Sequence, residues 1–185
     1  LQNKKELDRS YLIYPTVHGE EILIKLKDPE QIPSFDHLAM APQPLQALQW
    51  ALQRPSGVVL VTGTARSGMT TTLYTLLQSM NAPQRHLLSI EDPVECHLEG
   101  VFQGQVAQRS AATYAQFLEY ARTQHPDILL IDAISGPDMA KQVCSLASGM
   151  LILSSLMAVD TASAAIKLAC LCNPAMIVER INCIK

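Results

Sequence analysis

The run Gly63-Thr-Ala-Arg-Ser-Gly-Met-Thr70 is where this sequence comes closest to a recognisable chemistry. It follows the phosphate-loop pattern G-x-x-x-x-G-K-[ST] at every position but the lysine. Such a loop works in three parts. Backbone N–H groups and a helix start surround phosphate oxygens. A lysine ammonium neutralises the β- and γ-phosphates, and a Ser or Thr hydroxyl ligates Mg²⁺. The candidate nucleotide-binding residues are therefore Gly63, Thr64, Ala65, Arg66, Ser67, Gly68, Met69, Thr70 and Thr71, with Thr70 the candidate metal ligand. Met69 stands where the lysine belongs and carries no charge. A contact ion pair is worth about 4 kcal/mol at an effective dielectric of roughly 20, so its loss weakens triphosphate binding and harms transition-state stabilisation more. Arg66 is the one cation inside the run, read as facing solvent ahead of standing in for the lysine. A bare βα turn with no ligand would explain the two glycines. It would not explain the Thr70-Thr71-Thr72 run in a strand–loop–helix context.

Two acidic positions follow. Glu91-Asp92-Pro93-Val94-Glu95 closes an apolar segment, and Glu91 is the candidate catalytic carboxylate. A carboxylate there can orient water or bind Mg²⁺, or it can simply cap a proline-containing turn. Both readings stay open. Asp132 ends Ile128–Ile131, with Ala133 after it. Cys170-Leu-Cys172 has C-x-C spacing and no second pair, so buried thiols are expected and no zinc.

The elements that must position these residues read as alternating strand and helix. Apolar runs predict strands at Gly57–Thr62, His86–Ile90, Asp127–Ile131 and Met150–Ser154. Between them, apolar periodicity predicts helices at Thr70–Met80, Tyr114–Thr123, Pro137–Ala147 and Asp160–Leu171, the last capped by Asp160. A final helical piece is expected after Asn173-Pro174. The alternation predicts an α/β fold, a largely parallel sheet flanked by helices. Residues 1–40 differ: a short strand at Ile22–Leu26 follows a turn at His18-Gly19, prolines punctuate the segment, and a helical stretch over Asp36–Leu38 and Pro44–Leu52 connects it to the rest.

Composition bounds the remainder. The 185 residues are 48% hydrophobic and 17% charged with a net charge of −3, which suits a globular chain and gives no bulk attraction to nucleic acid. No apolar run reaches membrane-span length. The five scattered cysteines suggest reduced cytosolic thiols. The chain begins with Leu and is read as a piece of something longer.

From about Pro15 to Arg180, the order and spacing of Pro15-Thr-Val-His-Gly-Glu20, Gly57–Gly63, Thr70–Tyr74, Ile90–Glu95, His125-Pro126-Asp127 and Gly149–Ser154 resemble the motor ATPases of type II secretion and type IV pilus assembly, the GspE, PilB and PilT group. The resemblance implies a RecA-like P-loop NTPase core over 41–185, truncated at its C-terminal end, with 1–40 the remnant of a preceding N-terminal domain plus linker. It implies ATP and Mg²⁺ as ligands where binding is retained. It also implies a homo-oligomer or co-assembly with an active family ATPase, an inner-membrane platform protein as partner, and a cytoplasmic location peripheral to that membrane. The family's acidic box survives as Glu91, Asp92 and Glu95. Its Walker B signature, a strand followed by Gly-Glu-Ile-Arg-Asp, here reads Asp132-Ala133-Ile134-Ser135-Gly136, so Ala133 occupies the place of the glutamate. Met150 and the segment Leu156–Val159 replace its histidines. Its paired arginines fall on Glu119 and Thr123 and an N-terminal one on Ser10, whereas Arg109 matches. The expectation is a non-hydrolysing, structural or regulatory member with possible residual nucleotide binding. The alternatives are a weak but genuine ATPase motor using Arg66, Glu91 and Asp132, and a chain with no present function.

Overall fold

The computed structural model describes the backbone of residues 8–27, 32–38, 40–106, 113–171 and 181–184. Strands β1 (Asp8–Thr16) and β2 (Gly19–Lys27) form a two-stranded antiparallel hairpin. A 3-10 turn at Phe35–His37 and helix α1 (Pro42–Leu52) follow. Then come β3 (Gly57–Gly63), α2 (Met69–Ser79), β4 (Leu87–Glu91) and β5 (Phe102–Gln105). The chain continues through α3 (Tyr114–Gln124), β6 (Ile128–Ile131), α4 (Pro137–Leu146), β7 (Leu151–Met157), α5 (Thr161–Leu171) and β8 (Ile181–Ile184). Strands β3 to β8 make one sheet in the order β5-β4-β6-β7-β3-β8, and every pairing in it is parallel.

The apolar strands are fully buried because the sheet is covered on both faces. Alternate side chains sort cleanly between two cores. Val58, Leu60, Leu129, Ile131 and Ile152 meet α3, α4 and α5 through Leu118, Val143 and Leu168. Val59, Val61, Ile128, Leu130 and Leu153 meet α1 and α2 through Leu48, Leu73, Leu76 and Leu77. Local signals set the helix boundaries. Thr113 and Gln116 form a reciprocal capping box at the start of α3, and His125 ends that helix in a left-handed conformation. Asp160 accepts a 2.7 Å hydrogen bond from the Ser163 amide, as its capping role requires.

Three strands were not legible in the sequence, and one helical expectation fails. β1 is the unforeseen partner of β2, in register from Asp8↔Lys27 to Thr16↔Gly19. β5 is a half-exposed edge strand containing a glycine, so it lacks the apolar signal of the interior strands. Gly104 within it lies under the Phe117 ring, and a Cβ there would sit 2.7 Å from a ring carbon. Residues 181–184, where the final helical piece was expected to run, pair with β3 as a strand; residues 172–180 lie outside the described ones. Among the described residues no helix is long and apolar enough to cross a membrane.

The hairpin carries apolar side chains on both faces. Directly opposed residues share a face, so Tyr11, Ile13, Ile22 and Ile24 line one side and Leu12 and Leu23 the other. All are exposed, Tyr11 at 72%.

Candidate nucleotide-binding site

In a parallel sheet, ligand sites form at the carboxyl ends of the strands. Four strand ends converge here: Gly63, Glu91, Ile131 and Met157. β7 lies between β3 and β6, so the end of β7 separates the phosphate-loop candidate from the segment that starts at Asp132.

The loop has the shape its pattern implies. Ser67 donates its amide to the Thr64 carbonyl at 3.2 Å, closing a turn. Arg66 and Gly68 are both left-handed, with φ of 66° and 90°. Backbone of this kind lines up successive N–H groups into a concave anion seat. Gly68 is the N-cap of α2, and its carbonyl accepts from both the amide and the hydroxyl of Thr72, at 2.9 and 3.0 Å. A Cβ on Gly63 would run into the Ser67 side chain. Residues 64–68 and Thr71 are exposed and Thr70 is half-buried. The Thr70 hydroxyl has no hydrogen-bond partner among the described residues. The cradle thus fits phosphate oxygens, and Thr70 fits Mg²⁺.

The charge does not fit. Met69 folds back toward the loop's first glycine, with its Cγ 3.5 Å from where a Gly63 Cβ would stand, and packs partly buried against the core beneath α1 and α2. An apolar side chain that turns inward cannot neutralise phosphate. Arg66 is exposed on the outer turn and makes no ion pair among the described residues.

The two acids of the sequence analysis are held by protein donors. Glu91 is only 1% exposed. Its carboxylate accepts from the Tyr74 hydroxyl on α2, from Ser89 Oγ at 2.5 Å and from Gln103 Nε2 on β5 at 3.3 Å. Tyr74 Oη also accepts the Glu95 amide at 3.1 Å. Burial, reinforced by the hydrogen bond to Glu91, holds the Tyr74 phenol protonated well above the usual tyrosine range. Asp132 is equally engaged. Its Oδ1 accepts from Tyr114 Oη and the Ala133 amide, both at 2.7 Å, and its Oδ2 accepts from the Asp92 amide at 3.0 Å. Its backbone carbonyl accepts from Ser155 Oγ. Burial and the Asp132 bond push the Tyr114 phenol up as well. Asp132 therefore clasps β4, α3 and β7 together at the sheet edge. Ala133 beside it offers a methyl group. In β7, Ser154 Oγ is buried with no hydrogen-bond partner.

Met150 is buried and Met157 is 57% exposed, next to Gly63 in the strand register. Glu119 pairs with Arg122 at 3.5 Å on the exposed side of α3, and Thr123 bonds the Tyr120 carbonyl, so neither of the two family-arginine positions carries a free cation. Arg109 lies outside the described residues, as do the side chains of Arg9 and Ser10. Cys170 corrects the buried-thiol expectation: it is free and exposed, because it falls on the outer side of α5 whose inner side is set by Ala164 and Leu168. Cys172 is outside the described residues. Sequence reasoning missed Tyr74, Ser89, Gln103 and Tyr114, which bind the two acids. Tyr74 lies four residues after Thr70, one helical turn, but reads as part of an apolar stripe.

Comparison with known proteins bears on the whole chain. Residues 1–184 match the model of the family described as type II/IV secretion system protein. The chain is 34% identical over 154 residues to the type II secretion system protein E of Pseudomonas aeruginosa, covering 82% of this chain and 31% of that one. It is 38% identical over 156 residues to the type II secretion system protein HxcR of the same organism, covering 83% of this chain and 33% of that one. It thus spans about a third of the length of these relatives. The solved structure of the pilus retraction motor PilT with bound ADP superimposes with a TM-score of 0.69 at 21% identity, over 86% of this chain and 50% of that one, which establishes a common RecA-like fold. This chain belongs to the type II/IV secretion system protein family.

Proposed function

We propose that this chain is the nucleotide-site domain of a secretion or pilus-assembly ATPase relative that no longer hydrolyses ATP, and that it serves a structural or regulatory role. The observation that carries the reading is the state of the acids around the phosphate cradle. Glu91 and Asp132 have their carboxylates committed to protein donors, and Ala133 stands where the family places its glutamate. With Met69 turned into the core, neither the charge nor a free base is at hand to activate water. Nucleotide binding is the part that survives. The loop amides would hold phosphate oxygens and Thr70 the Mg²⁺, at reduced affinity.

The role that remains is assembly. The parent would join a ring of its own copies, or of active family members, and contact the inner-membrane platform from the cytoplasm. We assign residues 1–40 to the end of a preceding domain, with 41–185 the core. A lone two-stranded ribbon is marginal in water, and one with apolar residues on both faces calls for cover on both. The competing reading, a weak genuine motor, draws on the intact loop and the uncommitted Thr70 hydroxyl.

Calorimetric titration with Mg²⁺ and a non-hydrolysable ATP analogue separates the two. Binding weaker than micromolar, lost in Thr70→Ala when Mg²⁺ is present, is the expected result. Micromolar affinity accompanied by turnover that Glu91→Gln abolishes would overturn the reading.

A further inference from the structure

The charge missing from the loop has a replacement on another helix. We propose that Lys167 of α5 supplies the cation for the terminal phosphates of a bound nucleoside triphosphate. The proposal rests on the reading of residues 63–70 as a phosphate cradle.

Lys167 is exposed, yet its ammonium is anchored: Nζ donates to the Met157 carbonyl at 3.1 Å. Met157 is the last residue of β7 and the strand partner of Gly63, the loop's first glycine. Ala158, the next residue, donates its amide to the Gly63 carbonyl at 3.2 Å. The ammonium is therefore held at the strand end between the phosphate loop and the end of β6. Neighbouring strands are about 4.8 Å apart, a distance the flexible four-carbon stem of lysine covers by rotation about its own bonds. The carbonyl takes one of three ammonium donors, so two stay available to phosphate oxygens.

Arg66 is the rival cation. It lies in the loop, but no contact among the described residues fixes it, so it would lose more side-chain entropy on binding phosphate. Met69 and Lys167 then make a complementary pair. The residue that should carry the charge packs into one core, and a residue on the opposite side of the sheet brings a charge to the same strand ends.

The test is a calorimetric titration of Mg²⁺ with a non-hydrolysable ATP analogue, and of ADP, into the wild type, Lys167→Met, Lys167→Arg, Arg66→Met, Met69→Lys and Met69→Lys/Lys167→Met. One lost charge-assisted hydrogen bond corresponds to roughly 10- to 100-fold in affinity. Lys167→Met is expected to weaken the triphosphate by that factor and ADP by less. Lys167→Arg should retain binding, and Arg66→Met should change it little. In the Met69→Lys background, Lys167→Met should lose most of its effect because the loop again carries its own charge. Circular dichroism melts check that each variant folds, with Lys167→Gln as the second neutral form. Wild-type affinity in both neutral variants, or a loss caused by Arg66→Met instead, overturns the proposal. A wild type that binds no triphosphate at millimolar nucleotide also overturns it. Met69→Lys then separates the failures. Binding restored there leaves the cradle standing and sinks Lys167 alone, whereas no binding there sinks the cradle as well.

Discussion

Replacing Tyr74 by phenylalanine removes a single oxygen from the best-connected buried polar cluster next to the loop. That oxygen donates to the Glu91 carboxylate and accepts the Glu95 amide. Glu91 is 1% exposed, so no water can take over the lost donor, and only Ser89 and Gln103 continue to hold the carboxylate. A hydrogen bond to a charged group contributes about 1.5–3 kcal/mol, and the amide left without its acceptor pushes the cost to the upper end. Tyr74→Phe should therefore destabilise the domain by about 2–3 kcal/mol. In urea the midpoint should fall with the slope unchanged. In a thermal melt the drop should be roughly 4–12 °C for a domain of this size. Coupling is the sharper readout. Combining Tyr74→Phe with Glu91→Gln should cost clearly less than the two single changes added together, because each already removes their shared bond. Additive losses, or a Tyr74→Phe variant as stable as the wild type, would refute the claim that Tyr74 holds Glu91 in place.

Three further outcomes follow from the same structure. Tyr74 stays protonated in the folded state well above the pH at which it ionises when unfolded, about 10; the folded form then binds more protons, so stability should fall as pH rises past that point, and less steeply in Tyr74→Phe, measured by urea midpoints across an alkaline pH series. Leu130 in β6 is 1% exposed between α2 and the sheet, so Leu130→Ala should cost about 2–5 kcal/mol by equilibrium unfolding. Met69→Lys removes a side chain that packs on the core and places an ammonium at the cradle, so it should lower the melting midpoint slightly while tightening triphosphate binding in calorimetry.

The sequence carried the sheet interior well. Gly57–Thr62, Ile128–Ile131 and Met150–Ser154 are apolar throughout because both faces of a parallel sheet are covered, and that is visible residue by residue. Edge strands carry no such mark. Phe102–Gln105 has one exposed aromatic, two glutamines and a glycine, and it is a strand only because Leu88–Glu91 is there to pair with. The loop was legible as a local pattern, and its left-handed Arg66 and Gly68 follow from it. What the acids do was not legible. The partners of Glu91 lie on α2 and β5, and those of Asp132 on β4 and α3, so only the packed chain brings them together. A lysine ten residues beyond Met157 likewise gives no sequence signal of reaching its carbonyl.

Phosphate release from Mg²⁺-ATP by the wild-type chain, followed at saturating nucleotide, tests the central claim most directly. With Glu91 and Asp132 committed, Ala133 in place of a glutamate and Met69 in place of a lysine, the rate should equal that of buffer alone. A rate above buffer that disappears in Glu91→Gln would contradict the account, because it would make the buried carboxylate a working base.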